Sequence, residues 1–289
     1  MIALVVAAAL AGEPAPQAWV WPEVQGIELL IIQPVAARVL GFQRRPEVPL
    51  PAPIEGSLGH VALRLVDDGP IAGQWTVGVS AFMDVDGDGA DDPSNVWRGL
   101  TGGYDKRVLI QPLTVLASEY ARNEARWIRR YAIPMSAAEV EALAEALLAA
   151  HATGEARELG GYVFFTENCA TEITELLNTV LLGRPRELNY PYTIAKKYRR
   201  RGVVTPEIRT VTPADADAPL DASWAIPPSL VRRCAEGDAP CATAWVATAT
   251  QAFGAAWVAE MADLAKRRAY RERWSTELRA ELARVHDAE

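Results

Sequence analysis

Residues 162–178, YVFFTENCATEITELLN, decide how this chain folds and what it can do. A strand-like run, GYVFFT (161–166), leads into Thr166-Glu167-Asn168, and Cys169 then stands in the first turn of a strong helix. The helix is read from apolar residues at 170, 173, 176, 177, 180 and 181, with Gly183 as its stop. A helix beginning near Thr166 to Asn168 sets the Cys169 sulfur at the positive end of the helix dipole. Unpaired backbone N–H groups there favour a thiolate and can also hold a developing oxyanion.

A thiol nucleophile needs a base, and the chain has three histidines. His286 lies close to a charged C-terminus, where solvent covers it. His151 falls in the last turn of a helix, where it complements the dipole. That leaves His60, in SLGHVALRL (57–65), at the start of a strand and directly after a glycine that permits close approach. Taken singly, Cys169 reads as a buried structural thiol and His60 as a strand-end histidine. Taken together, a strand-end His and a helix-start Cys make the arrangement of a cysteine hydrolase.

Outward from these two residues the chain alternates strands and helices. HVALRLV (60–66) and QWTVGVSAF (74–82) read as a hairpin about the turn 67–73. Its register brings Ser80 to Phe82 opposite His60, so Ser80 is a candidate to orient the imidazole. Glu124 and Asn168 are its rivals, and Asn168 reads first as a helix cap. Residues 115–131 have helical spacing, and Ser136-Ala-Ala-Glu139 is a capping box opening a helix that runs to about His151. The Pro-rich segment 44–56 reads as an extended connector, 203–228 as a linker or surface excursion, and 242–286 as helical.

Composition narrows the function classes. Half of the 289 residues are hydrophobic and 23% are charged, as in a folded globular protein. A net charge of −8 argues against a nucleic-acid binder, since no domain-wide basic field exists to attract phosphates. The first eleven residues, MIALVVAAALA, resemble the hydrophobic core of an export signal, with Ala9-Leu10-Ala11 in a cleavage-site pattern. The alternative is a buried N-terminal strand or helix.

Export suits the cysteines. Cys234 and Cys241 lie seven apart in a Gly- and Pro-containing stretch, and in an oxidising compartment they would pair and leave Cys169 as the odd thiol. Export also suits the acidic loop DVDGDGADD. There Asp84, Asp86, Asp88 and Asp92 take positions 1, 3, 5 and 9 of a calcium loop, with Gly89 at 6 and Asn95 where a Glu usually stands. Structural Ca²⁺ or a solvated acidic turn are the two readings. KKYRRRG (196–202) is either a solvated helix face or a patch for anionic phospholipid head groups. Residues 241–259 carry no charge; they read as a buried helix, with membrane-surface contact through Trp245 and Trp257 as the alternative.

Four pieces in order, SLGHVALRL, GLTGGYDKR (99–107), EYARNEARWIRRYAIPMSAAEVEAL (119–143) and YVFFTENCATEITELL, resemble the periplasmic domain family named for the Lnb lipoprotein N-acyltransferase. The resemblance covers roughly residues 55–205. It implies an α+β, circularly permuted papain-like (NlpC-like) fold, an antiparallel sheet packed on helices, with His before Cys in the chain. The expected organisation is a signal or N-terminal segment (1–18), a catalytic domain (19–205), and a linker with C-terminal helices (206–289). The resemblance further implies periplasmic thiol acyl transfer, in which Cys169 takes an acyl chain from a phospholipid as a thioester and passes it to a lipoprotein amino terminus, with His60 as general base. One departure is the lack of a convincing transmembrane helix, which leaves the substrate open. The competing classes are a cysteine peptidase or amidase on envelope peptides and a non-catalytic, calcium-stabilised envelope module.

Overall fold

The computed structural model describes residues 24, 26–33, 59–67, 73–82, 96–124, 126–182, 190–213, 215, 224 and 239–287. The export segment 1–18, the connector 44–56, the aspartates Asp84, Asp86, Asp88 and Asp92, and Cys234 lie outside the described residues, and with them the calcium and disulfide expectations.

In chain order the elements are β1 (Gly26–Ile32), β2 (His60–Val66), β3 (Trp75–Phe82), α1 (Val96–Thr101), β4 (Tyr104–Pro112) and α2 (Leu113–Leu116). A π-helical turn, Ala117–Asn123, follows α2 directly. Then come β5 (Ile128–Ile133), α3 (Ala137–Glu155), β6 (Gly161–Tyr162), α4 (Cys169–Leu181), α5 (Pro191–Arg200) and β7 (Glu207–Val211). The chain closes with α6 (Ala239–Phe253), α7 (Ala255–Ala265), α8 (Arg268–Arg273) and α9 (Thr276–Asp287). The strands form one antiparallel sheet in the order β6-β4-β3-β2-β1-β5-β7. An α+β architecture with an antiparallel sheet against helices is therefore what the chain adopts.

Strand alternation divides the core between the two faces of the sheet. Val61, Leu63 and Leu65 of β2, with Val77 and Val79 of β3, pack under α3 and the Cys169 helix through Leu143, Leu147, Ala170, Ile173 and Leu177. Leu30, Ile32 and Ala62 face the other way, against Leu113, Leu116, Ala117 and Ala121 of α2 and the π-turn. On that second face lies a fully buried ion cluster. Arg64 donates to Glu28 at 3.0 Å and to the Trp224 carbonyl at 2.8 Å. Arg130 donates to both Glu28 carboxylate oxygens at 3.0 Å and to the same carbonyl at 3.1 Å. Burial alone would raise the Glu28 pKa, but Arg130 and Arg64 outweigh it and hold the carboxylate below its ordinary value. Burial in turn pulls Arg64 down to about 10.

Two expectations need correction. Residues 115–131 are not one helix: α2 and the π-turn end at Asn123, and Ile128–Ile133 is a central strand. Arg130 of that strand is buried on Glu28. The run 203–228 is not all linker, because Glu207–Val211 is the edge strand β7, paired with β5. The capping box is as expected: Ser136 N–H donates to Glu139 at 2.7 Å, and Ser136 Oγ accepts from Glu139 N–H.

The uncharged stretch 241–259 is two helices broken at Gly254, whose φ of +82° suits glycine. Trp245 is buried among Val246, Met261, Tyr270, Trp274, Leu278 and Leu282, and Trp257 packs half-buried against them. This C-terminal bundle docks on the sheet domain by specific bonds. Tyr270 Oη donates to the Val204 carbonyl, Trp274 Nε1 to that of Gly202, and Arg273 to that of Leu181 at the end of α4. Among the described residues, no helix is long and apolar enough to cross a membrane.

Candidate active site

Cys169 opens α4 as expected from its sequence. Asn168 is the cap: its Oδ1 accepts from Ala170 N–H at 2.8 Å and Thr171 N–H at 3.3 Å, while its Nδ2 donates to the Phe164 carbonyl at 2.8 Å. The amide of Asn168 thus aims into the helix start, which is the capping role rather than that of an imidazole orienter. Lys106 of β4 braces the same turn, with its ammonium against Glu167 at 3.3 Å and against Glu172. Burial lowers the lysine pKa, but Glu172 and Glu167 prevail and hold it above its ordinary value.

The thiol of Cys169 is 3% exposed. Burial pushes its pKa up, against hydrogen bonds to the sulfur from the Val61 N–H, the Tyr162 hydroxyl and the Ala170 N–H. Cys169 N–H in turn donates to Tyr162 Oη at 3.4 Å. Cys169 lines a small open pocket together with Gly59, Tyr162, Phe164, Asn168, Tyr190 and Pro191. Aromatic rings dominate that lining. Gly99 makes room for one of them, since a Cβ there would meet the Phe164 ring at 2.2 Å.

His60 immediately precedes Val61, so imidazole and thiol converge on the same end of β2. They arrive from different faces: α4 packs on the Val61 side, and His60 stacks on Tyr120 of the π-turn, ring centroids 5.2 Å apart and planes 19° apart. The β2–β3 ladder runs only as far as Ala62↔Gly78, and the imidazole lies across the opening, so that a Cβ on Gly78 would sit 3.0 Å from His60 Nε2. Burial, then the charge of Arg126, lowers the His60 pKa from 6.5 to about 3. Thiol and imidazole therefore both rest neutral. Among the described residues no hydrogen bond joins them directly.

The remaining candidates are accounted for in turn. Ser80 falls opposite His60 when the Ala62↔Gly78 register is extended, and its hydroxyl accepts a long bond from Arg107 Nε at 3.4 Å. Glu124 pairs with Arg126 at 2.5 Å. His151 Nδ1 bonds the Val108 carbonyl at 2.7 Å, tying α3 to the sheet, and His286 lies beside Asp263 and Asp287. Sequence reasoning missed Tyr120 and Tyr162. Tyr162 stood in the quoted stretch, but the two-residue strand β6 that aims it was read as a longer one.

Gly78→Ala tests whether the imidazole's place matters. The added methyl must displace His60 Nε2 by a few tenths of an ångström. Alkylation of Cys169 by iodoacetamide is expected to change about tenfold while the circular dichroism spectrum stays the same. An unchanged rate would separate the thiol's reactivity from the imidazole.

The scaffold is α+β, with Cys169 opening a helix against an antiparallel sheet and His60 on an earlier strand of that sheet. The chain belongs to the Lnb N-terminal periplasmic domain family, whose sequence profile matches residues 52–199, just over half of the chain. It is accordingly an extracytoplasmic envelope protein. No curated protein and no solved structure matches it.

Proposed function

We propose that this protein is a thiol acyltransferase of the cell envelope, built on a permuted papain-like arrangement, with Cys169 as nucleophile and His60 as general base. The observation that carries the reading is the aromatic pocket at Cys169, whose sulfur is already hydrogen-bonded by a backbone N–H and the Tyr162 hydroxyl. An apolar lining suits an acyl chain, where a peptide cleft would present polar groups. Exposed Phe165 and Tyr190 flank the site, and α5, which begins at the pocket residue Pro191, turns Lys196, Lys197 and Arg200 to solvent. Aromatic and basic side chains together fit a surface of anionic lipid.

In the first step His60 takes the thiol proton as the sulfur attacks an ester carbonyl of phospholipid. The S–C bond forms, the ester C–O bond breaks, and the imidazolium returns its proton to the leaving lysophospholipid oxygen. A lipoprotein amino group then attacks the thioester, its proton passing through His60 to the departing sulfur. Catalytic hydrogen bonds are often long until substrate binds, which accommodates the absent direct bond between the two side chains. Tyr162, beside the sulfur and the Cys169 N–H, is placed to donate to the oxyanion. Tyr162→Phe is expected to slow acyl-enzyme formation by about 10²–10³ without lowering the affinity for vesicles.

A second reading has its own support. Cys169 is nearly inaccessible and its pKa is raised, as for a structural thiol in a non-catalytic envelope module. Release of lysophospholipid from phosphatidylglycerol vesicles, wild type against Cys169→Ser, separates the two. Release by the wild type alone supports the transferase; no release by either supports the module.

A further inference from the structure

The π-turn between α2 and β5 carries a side chain that the proposed chemistry has not used. Single π-turns within helices are rare and concentrate at functional sites. Here the turn directs Tyr120 onto the His60 imidazole in a near-parallel stack at 5.2 Å. Arg126 also lies over this ring, its guanidinium carbon 5.4 Å from the Tyr120 centroid. Arg126 is itself buried, and its N–H donates to the Tyr120 carbonyl at 2.8 Å, fixing the two residues in one local loop. Imidazole and guanidinium thus both pack on the Tyr120 ring near the start of β2.

The charged and titratable groups around this stack are few. From the π-turn come Glu119 and Tyr120, from the segment before β5 come Glu124 and Arg126, from β6 comes Tyr162, and from α4 comes the Cys169 thiol. Among the described residues, the groups acting on the imidazole are Tyr120 by stacking and Arg126 by charge. A carboxylate beside a catalytic histidine stabilises the imidazolium; a nearby cation does the reverse.

We propose that Tyr120 is the positioning residue of this site: its ring, held in turn by Arg126, fixes the plane of the His60 imidazole by stacking. This inference rests on the Cys169–His60 reading above. It assigns to a stack the work that a hydrogen-bonding third group performs in a triad, and it gives the π-turn a purpose. The low His60 pKa agrees with the arrangement.

The chain's three histidines make the test tractable by proton NMR of the imidazole Cε1–H lines, with His60 assigned by His60→Gln. In the wild type the His60 line is expected not to titrate between pH 5 and pH 8. With the titration carried below pH 5, Arg126→Gln should raise its midpoint, and Arg126→Lys, which keeps the charge, should leave it unchanged. In parallel, acyl-enzyme formation is followed by intact mass after addition of phosphatidylglycerol vesicles. Tyr120→Phe should retain the rate and Tyr120→Leu should lose about tenfold. A wild-type His60 titrating near 6.5 would mean that the imidazole is solvated rather than packed on Tyr120, and overturns the proposal even if no variant folds. A wild-type thioester that forms equally fast in Tyr120→Leu overturns the positioning role alone. A wild type that forms no thioester overturns the transferase reading on which the role depends.

Discussion

Glu28→Gln is expected to destabilise the protein by about 3–5 kcal/mol and to lower its melting temperature by about 10 °C. One carboxylate holds two guanidinium groups in a cluster that solvent does not reach, and Gln removes the charge while keeping the shape. Two buried cations then face each other without the carboxylate between them, the Trp224 carbonyl and Gln74 being among the polar groups that remain. Removing one member of a buried charge pair is costly because the other is left uncompensated. The same cluster sets an acid limit. Glu28 has a lowered pKa, so its stabilisation is complete above its ordinary value of 4.5 and is lost as pH falls through the folded value. His60 acts in the same direction. Held at about 3 against 6.5, it binds protons in the unfolded chain first, so stability declines as pH drops from 6.5 towards 3. Thermal melts at pH 7 and pH 4, for wild type and Glu28→Gln, measure both effects. A loss below about 1 kcal/mol in the variant would mean that water already solvates the cluster.

His60→Ala is expected to slow acyl-enzyme formation by about 10²–10⁴ with the fold intact. The imidazole is half-buried at a strand end and packs on Tyr120, so its loss removes one ring contact and leaves the core clusters in place. The thiol, raised by burial, then keeps its proton without the imidazole to take it. Single-turnover mass measurements on phosphatidylglycerol vesicles read the rate directly. A variant as fast as wild type would show that the sulfur reacts without the imidazole.

The two central residues were legible because each announced itself locally. Cys169 followed a capping Asn and preceded a helix-period run, and His60 opened an alternating strand; both signals need only neighbours in sequence. The capping box and the hairpin register were legible for the same reason. What stayed hidden depends on distant partners. Strand β1, GIELLII, is covered on both faces, so it lacks alternation and shows an uninterpretable apolar run broken by Glu28. Strand β5 was mistaken for helix because Arg130 looks like a surface residue until Glu28, 102 positions away, is known to sit against it. Tyr120 gave no signal at all: its role depends on a π-turn, which has no sequence period to read, and on a stack with a histidine far away in the chain.

The most direct test of the central claim is intact-mass spectrometry of the full chain after incubation with phosphatidylglycerol vesicles, wild type beside Cys169→Ala. One added fatty-acyl mass on the wild type, removed by hydroxylamine and absent from Cys169→Ala, is the expected result. An unmodified wild-type mass, with Cys169 resisting a small thiol probe in the folded protein, would contradict it and make the thiol structural.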